Sequence, residues 1–248
     1  MSEEWILFLD FDDTVSNSKK HAQQYVSELS YLLSRDFGEA PEDWSPFIGQ
    51  ELSRLMERYT QVWTAKPVSG FKDWVERERV VAANAVFFQM GKEYSSDENL
   101  PFSEYLSQIQ FDALTGTNAL FEGVYESLQQ IHERGVRIHM ASSQESEYLR
   151  ASVLGAGLDA FVERMFGPDL VDCPKEGTEY YKRIFDTCEI PANRAIVIDD
   201  QPHCLDWAEE VGARVIQSTL IDAAIAPEFP VALSNWSDLP LLLNPYLR

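Results

Sequence analysis

The sequence predicts an α/β protein, a doubly wound parallel-sheet core with an all-helical segment inserted after its first strand. Three observations point there. Short apolar runs that stop abruptly at polar residues recur, such as Trp5-Ile6-Leu7-Phe8-Leu9 before Asp10 and Ala195-Ile196-Val197-Ile198 before Asp199. From Phe121 onward such runs alternate with helix-period patterns, the spacing of βαβ units. Between residues 17 and 117 the helical period persists with no strand run. A chain of 248 residues, 45% hydrophobic and 12% aromatic, is long and apolar enough to bury such a core.

Taken in order, the first strand is the run ending at Leu9. In the insert, Tyr25, Leu29, Leu32 and Leu33, and then Leu52, Leu55, Met56 and Tyr59, recur at helical spacing, and Trp74 to Phe88 continues the pattern. Its aromatic residues Trp44, Phe47, Trp63, Phe71, Trp74, Phe87 and Phe88 are expected to form the insert's own core and its seam with the sheet. The chain re-enters through Thr115-Gly116-Thr117-Asn118. A helix over 124–134 carries Val124, Leu128 and Ile131 on one face and stops at Gly135. A strand over 136–141, a helix over 145–154 and a helix over 178–188 follow. Then come the apolar strand 195–198, a helix over 203–211, a strand over 214–216 and a helical turn over 239–243. The core is therefore expected to comprise residues 1–16 and 118–248, and the insert residues 17–117.

The net charge of −21 opposes a nucleic-acid backbone or an anionic membrane as partner. Residues 17–117 hold 10 basic and 15 acidic side chains and the remainder 10 and 26, so the acidity concentrates in the core. Glu3 and Glu4 stand where a secretory signal carries basic residues, and the apolar run after them is too short for a signal core or a membrane span. A cytoplasmic protein is expected. Cys173, Cys188 and Cys204 form no CxxC pair and read as reduced, packed thiols. His21, His132, His139 and His203 show no zinc spacing.

Ligands of open α/β sheets bind beyond the carboxyl ends of the strands. The first strand ends in Asp10, Asp12 and Thr14, the second in Ser142-Ser143, and the apolar strand 195–198 in Asp199-Asp200. Lys175 precedes the helix at 178. Each group has a plainer reading. Asp10-Phe11-Asp12-Asp13-Thr14 is also a turn composition, Ser142 and Ser143 are also N-caps, and lysines are mostly exposed. Burying carboxylates beside an apolar strand is nevertheless costly without a cation or proton to compensate them.

Together, in this order, these groups resemble the motifs of the haloacid dehalogenase (HAD) superfamily. Apolar strand then D-x-D-x-T matches Asp10 to Thr14, a serine after an apolar strand matches Ser142, the lysine matches Lys175, and the acidic fourth motif matches Asp199-Asp200. The family often has Gly where Asp13 stands and Pro after the lysine, where this chain has Glu176; Lys182 is the fallback lysine. The resemblance implies a Rossmann-like HAD core, with residues 17–117 as its helical C1-type cap domain. It also implies Asp10 as nucleophile, Asp12 as acid and base, and Ser142 and Lys175 as partners of the phosphoryl group, with Thr14 and Ser143 beside them. Asp10, Asp12 through its backbone carbonyl, Asp199 and Asp200 would hold Mg²⁺. The acidic residue at Asp12 favours phosphate esters over carbon–halogen bonds, so the expected activity is a Mg²⁺-dependent phosphatase of a small phosphorylated metabolite. A sugar phosphomutase of the same fold and a non-catalytic HAD-like binding protein are the alternatives. Lys19, Lys20, Arg54, Arg58, Lys66 and Arg77 offer charge for a second anionic group, though most are expected on solvated helix faces.

Overall fold

The computed structural model describes residues 5–63, 70–94, 100–221 and 226–246. Among these, six parallel strands form one sheet: β1 (Ile6–Leu9), β2 (Arg137–Ala141), β3 (Val162–Phe166), β4 (Ala195–Asp199), β5 (Arg214–Ser218) and β6 (Ala232–Leu233). Their spatial order is β3-β2-β1-β4-β5-β6. The chain thus leaves β1 to one side and later returns to pair β4 on the other. β1 has no exposed face, which is why it is apolar throughout. Leu7 and Leu9 pack with Leu128, Ile131 and Leu149, whereas Ile6 and Phe8 pack with Tyr181, Ile184 and Leu205.

Two strands carry no apolar run in the sequence. β3 lies at the sheet edge and buries only its ends, Val162 and Phe166, leaving Glu163 and Arg164 exposed. β6 is two residues long and pairs only with β5.

Four helices follow β1: α1 (Ser18–Phe37), α2 (Pro41–Trp63), α3 (Phe71–Gln89) and α4 (Phe102–Thr115). They enclose a core of their own around Leu29, Leu33, Trp44, Ile48, Val86, Phe87 and Ile109. Phe88 does not join it and is 85% exposed. Neighbouring helical residues point about 100° apart, so with Phe87 facing inward Phe88 must face out. The Trp63 side chain and Lys66 lie outside the described residues.

The remaining helices are α5 (Val124–Glu133), α6 (Ser146–Gly155), α7 (Pro168–Val171), α8 (Thr178–Thr187), α9 (Pro202–Glu210) and α10 (Leu239–Leu242). Gly135, at φ +79°, turns the chain from α5 into β2.

The insert joins the core through two extended segments lying side by side. Asn17 N donates to Ala119 O at 2.9 Å and Phe121 N to Val15 O at 3.1 Å, while Gln24 closes the pair on the Asn118 backbone. At the seam α4 packs on α6, and Gly155 permits the contact. A Cβ there would stand 2.6 Å from Thr117 O and 2.7 Å from Leu114 O. Gly155→Ala should therefore destabilise the protein by about 1–3 kcal/mol, although alanine favours an isolated helix by about 1 kcal/mol. Equilibrium denaturation measures the sign, and a gain in stability would contradict this packing.

His139, in β2, is fully buried between Phe8 and Phe166, and burial pushes its imidazole from 6.5 down to about 4. The unfolded chain takes up this proton first, so stability is complete above about pH 6.5 and declines as the pH falls toward 4. His139→Leu should remove as much as roughly 3 kcal/mol of that acid-side loss. Denaturation midpoints measured across that window test this; an unchanged pH slope would refute it.

Candidate active site

Sheet register brings the polar strand ends together. Leu9 is level with Met140 on one side and Ile198 on the other, and Asp10 N donates to Ile198 O at 2.9 Å. Asp10 therefore emerges beside the ends of both β2 and β4, where the chain order reverses across the sheet. The turn after it is held by Asp13, whose φ of +61° lies in the left-handed region where Gly is the easy residue. The Asp13 carboxylate offsets that strain by accepting from Ser18 N at 2.8 Å, at the start of α1. Asp13 is thus structural.

Lys175 is 3% exposed, not a surface lysine. Its ammonium donates to Asp10 Oδ1 at 2.6 Å and to Ala141 O at 2.9 Å, and forms an ion pair with Asp199 Oδ2 at 2.7 Å. Burial works against its charge, but Asp10 and Asp199 more than offset it and hold the ammonium above its usual range. Lys182 is exposed, so it does not take this place.

Burial pushes the Asp10 carboxyl well up against the pull of Lys175. Asp200 is pushed up to about 7, by burial and then by Asp199 and Asp13. Carboxylate oxygens of Asp10, Asp199 and Asp200 lie within 4.8 Å of one another. This all-oxygen set, carrying more negative charge than Lys175 neutralises, suits a hard divalent cation. The Asp12 carboxylate stands outside the trio. Its side chain is 47% exposed, with Oδ1 3.8 Å from His21 Nδ1. Desolvation by the surrounding groups, then Asp13, pushes its carboxyl up to about 6.

Ser142 follows β2 directly. Its hydroxyl accepts from Gln144 N at 3.1 Å and its amide donates to Phe166 O at 3.0 Å. Neither Ser142 nor Ser143 caps α6; the N-cap is Glu145, and Asp169 takes the Ser146 amide and hydroxyl at 2.7 and 2.5 Å. Ser143 is exposed, while Thr14 is fully buried, its hydroxyl without a hydrogen-bond partner among the described residues.

Sequence reasoning missed several residues that shape this edge. Tyr180 places its hydroxyl 2.9 Å from Ser142 O and 2.8 Å from Phe166 O, pinning the loop that carries Ser142. Asp172 accepts from the Gly70 and Phe71 amides at 3.1 and 3.2 Å, docking the start of α3 on the core. Arg79 of α3 reaches Glu145 at 3.7 Å and lies over the Tyr148 ring. Burial pushes the Glu145 carboxyl up to about 7 against the pull of Arg79. No local sequence pattern marks these contacts, which join elements far apart in the chain. Of the basic residues considered for a second anion, Arg54 pairs with Glu51 and Arg58 with Glu78, while Lys19, Lys20 and Arg77 are exposed.

The sequence pattern of the haloacid dehalogenase-like hydrolases matches residues 6–212. No curated protein gives a significant match. Solved structures with a similar fold include magnesium-bound YfnB of Bacillus subtilis, at 16% identity and TM-score 0.62, covering 98% of this chain and 100% of that one. A 2-haloacid dehalogenase of Pseudomonas syringae has 17% identity and TM-score 0.66, covering 98% and 99%. A HAD phosphatase of Thermococcus onnurineus has 13% identity and TM-score 0.58, covering 97% and 98%.

Lys175→Met would leave two buried carboxylates facing each other without their shared cation. The expected cost in metal-free protein is about 3–5 kcal/mol, read by denaturant titration. A loss below about 1 kcal/mol, the range of exposed pairs, would contradict the buried triad.

Proposed function

The chain belongs to the haloacid dehalogenase-like hydrolases, and from that premise we propose that it is a Mg²⁺-dependent phosphatase, hydrolysing a small-molecule phosphate monoester through an aspartyl-phosphate. The observation that carries this reading is Asp12. A halide departs as a stable anion and needs no proton, whereas the oxygen of an ester leaving group does. A carboxyl two residues from the nucleophile, open to the cleft and pushed up to about 6, can hold that proton near neutral pH and later give it up.

In the first half-reaction an Asp10 carboxylate oxygen attacks phosphorus and the ester P–O bond breaks, with Asp12 protonating the departing oxygen. In the second, Asp12 takes a proton from water as that water attacks phosphorus. The Asp10–phosphoryl bond then breaks, releasing phosphate and restoring both carboxyls. Ser142 offers a hydroxyl to a phosphoryl oxygen, with Ser143 exposed beside it and Thr14 buried in the turn below. Lys175 holds Asp10 in place and offsets charge on the phosphoryl group. Asp10, Asp199 and Asp200, with the Asp12 backbone carbonyl, would hold Mg²⁺, which when bound draws charge from the phosphoryl oxygens. The insert, docked at Asp172 and Glu145, would restrict water at the strand ends during the reaction.

Hydrolysis of p-nitrophenyl phosphate and of a panel of phosphorylated metabolites with Mg²⁺ tests this reading. Asp12→Asn should lower kcat by about 10²- to 10⁴-fold, excess EDTA should abolish turnover, and 2-chloropropionate should yield no chloride. Undiminished hydrolysis in EDTA, or chloride release, would refute it. Phosphate that appears only as a transferred group on a sugar would point to the phosphomutase.

A further inference from the structure

Among the described residues the Asp12 carboxylate makes no hydrogen bond, and its one ion-pair contact is with a side chain of the insert. The turn after β1 determines which. Asp13 accepts from Ser18 N at 2.8 Å, and Asn17 caps α1 by accepting from Lys20 N at 2.9 Å. His21 follows in the first turn of that helix, its amide donating to Asn17 O at 2.9 Å. The ring is thereby brought back over the turn that carries Asp12. His21 Nδ1 lies 3.8 Å from Asp12 Oδ1, and the ring packs edge-on against Phe11 at 5.4 Å.

The two partners differ in freedom. The His21 side chain is 8% exposed and that of Asp12 47%, so the ring is the fixed member and the carboxyl the one that can turn. His21 Nε2 is sealed from solvent and has no hydrogen-bond partner among the described residues, which leaves Nδ1 as the ring's polar outlet. A proton on Nδ1 can be donated to Oδ1 whether Asp12 is ionised or protonated on Oδ2, because Oδ1 is an acceptor in both forms. Such a contact survives the movement of the Asp12 proton and leaves Oδ2 to carry it.

We propose that His21 is the positioning residue of Asp12. Its Nδ1–H takes Oδ1 as acceptor when the carboxyl turns toward the ring, closing the present 3.8 Å to hydrogen-bond distance. Oδ2 is then the oxygen that gives its proton to the leaving group and later takes one from water. His21 itself neither gains nor loses a proton and touches no reacting atom. This rests on the phosphatase reading. An acid held by one oxygen stays aimed at the ester, which is the gain that orientation brings to catalysis.

The test uses His21→Phe, which keeps a ring against Phe11 and removes both nitrogens, and His21→Asn, which keeps a donor near the place of Nδ1. Both are assayed with Mg²⁺ on glycerol phosphate and on p-nitrophenyl phosphate. The glycerol oxygen needs a proton to leave, whereas p-nitrophenolate leaves well without one. In His21→Phe, kcat/KM, which reports the first half-reaction, should fall about 10- to 100-fold for glycerol phosphate and less than about 3-fold for the aryl ester. His21→Asn should recover most of that loss. Added to Asp12→Asn, His21→Phe should cost less than about 2-fold more. Both esters are read on the same protein, so partial misfolding lowers both alike and cannot imitate the split. Nitrogen NMR of wild-type protein should find a proton on His21 Nδ1. Unchanged turnover of glycerol phosphate, an equal loss on both esters or no recovery in His21→Asn overturns the assignment. So does a full cost in the Asp12→Asn background, or a ring proton on Nε2 alone. Wild-type protein inert toward both esters would instead refute the phosphatase reading, and this assignment with it.

Discussion

A single buried ammonium ties together three strand ends. Lys175 donates to Asp10 after β1 at 2.6 Å and to the last carbonyl of β2 at 2.9 Å, and pairs with Asp199 at the end of β4 at 2.7 Å. Taking such charges out of water is expensive, and their mutual attraction recovers the cost only in good geometry. The sheet supplies that geometry, because parallel register sets β1, β2 and β4 side by side with their ends level. The same triad leaves an acidic remainder. One cation faces Asp10 and Asp199, and Asp200 adds a third carboxylate within 4.8 Å. That imbalance suits this edge to a hard divalent cation.

The insert completes the site by docking. Its contacts with the core fall near the strand-end groups: Asp172 lies three residues before Lys175, and Glu145 three residues after Ser142. Gly155 lets α6 meet the end of α4 at backbone distance. Against these stand two paired extended segments at the root of the insert, held by a few hydrogen bonds. Such a root can bend without unpacking either core.

Much of this architecture was legible in the chain, and what was not has physical reasons. β1 and β4 announce themselves because burial on both faces demands unbroken apolar runs. β3 hid because an edge strand buries only Val162 and Phe166, and β6 because two residues carry no period. The positions of Asp10, Ser142, Asp199 and Asp200 at strand ends were legible because each is a polar residue at an apolar boundary, whereas Lys175, between α7 and α8, was singled out only by the motif resemblance. Tyr180, Asp172 and Arg79 could not be found, since their meaning lies in contacts between elements far apart in sequence, and each alone reads as an ordinary helix or turn residue. Phe88 shows the converse: its aromaticity suggested core, but helix phase had already given the inward position to Phe87.

All of this turns on Asp10 carrying the phosphoryl group. Mixing the protein with Mg²⁺ and excess p-nitrophenyl phosphate, quenching in acid, and reducing with borohydride converts an acyl phosphate to the alcohol of its side chain. Mass spectrometry of the N-terminal peptide should then show homoserine at position 10, and none in Asp10→Asn protein. Turnover that continues with Asp10 unlabelled, or label found on another residue, would contradict the account.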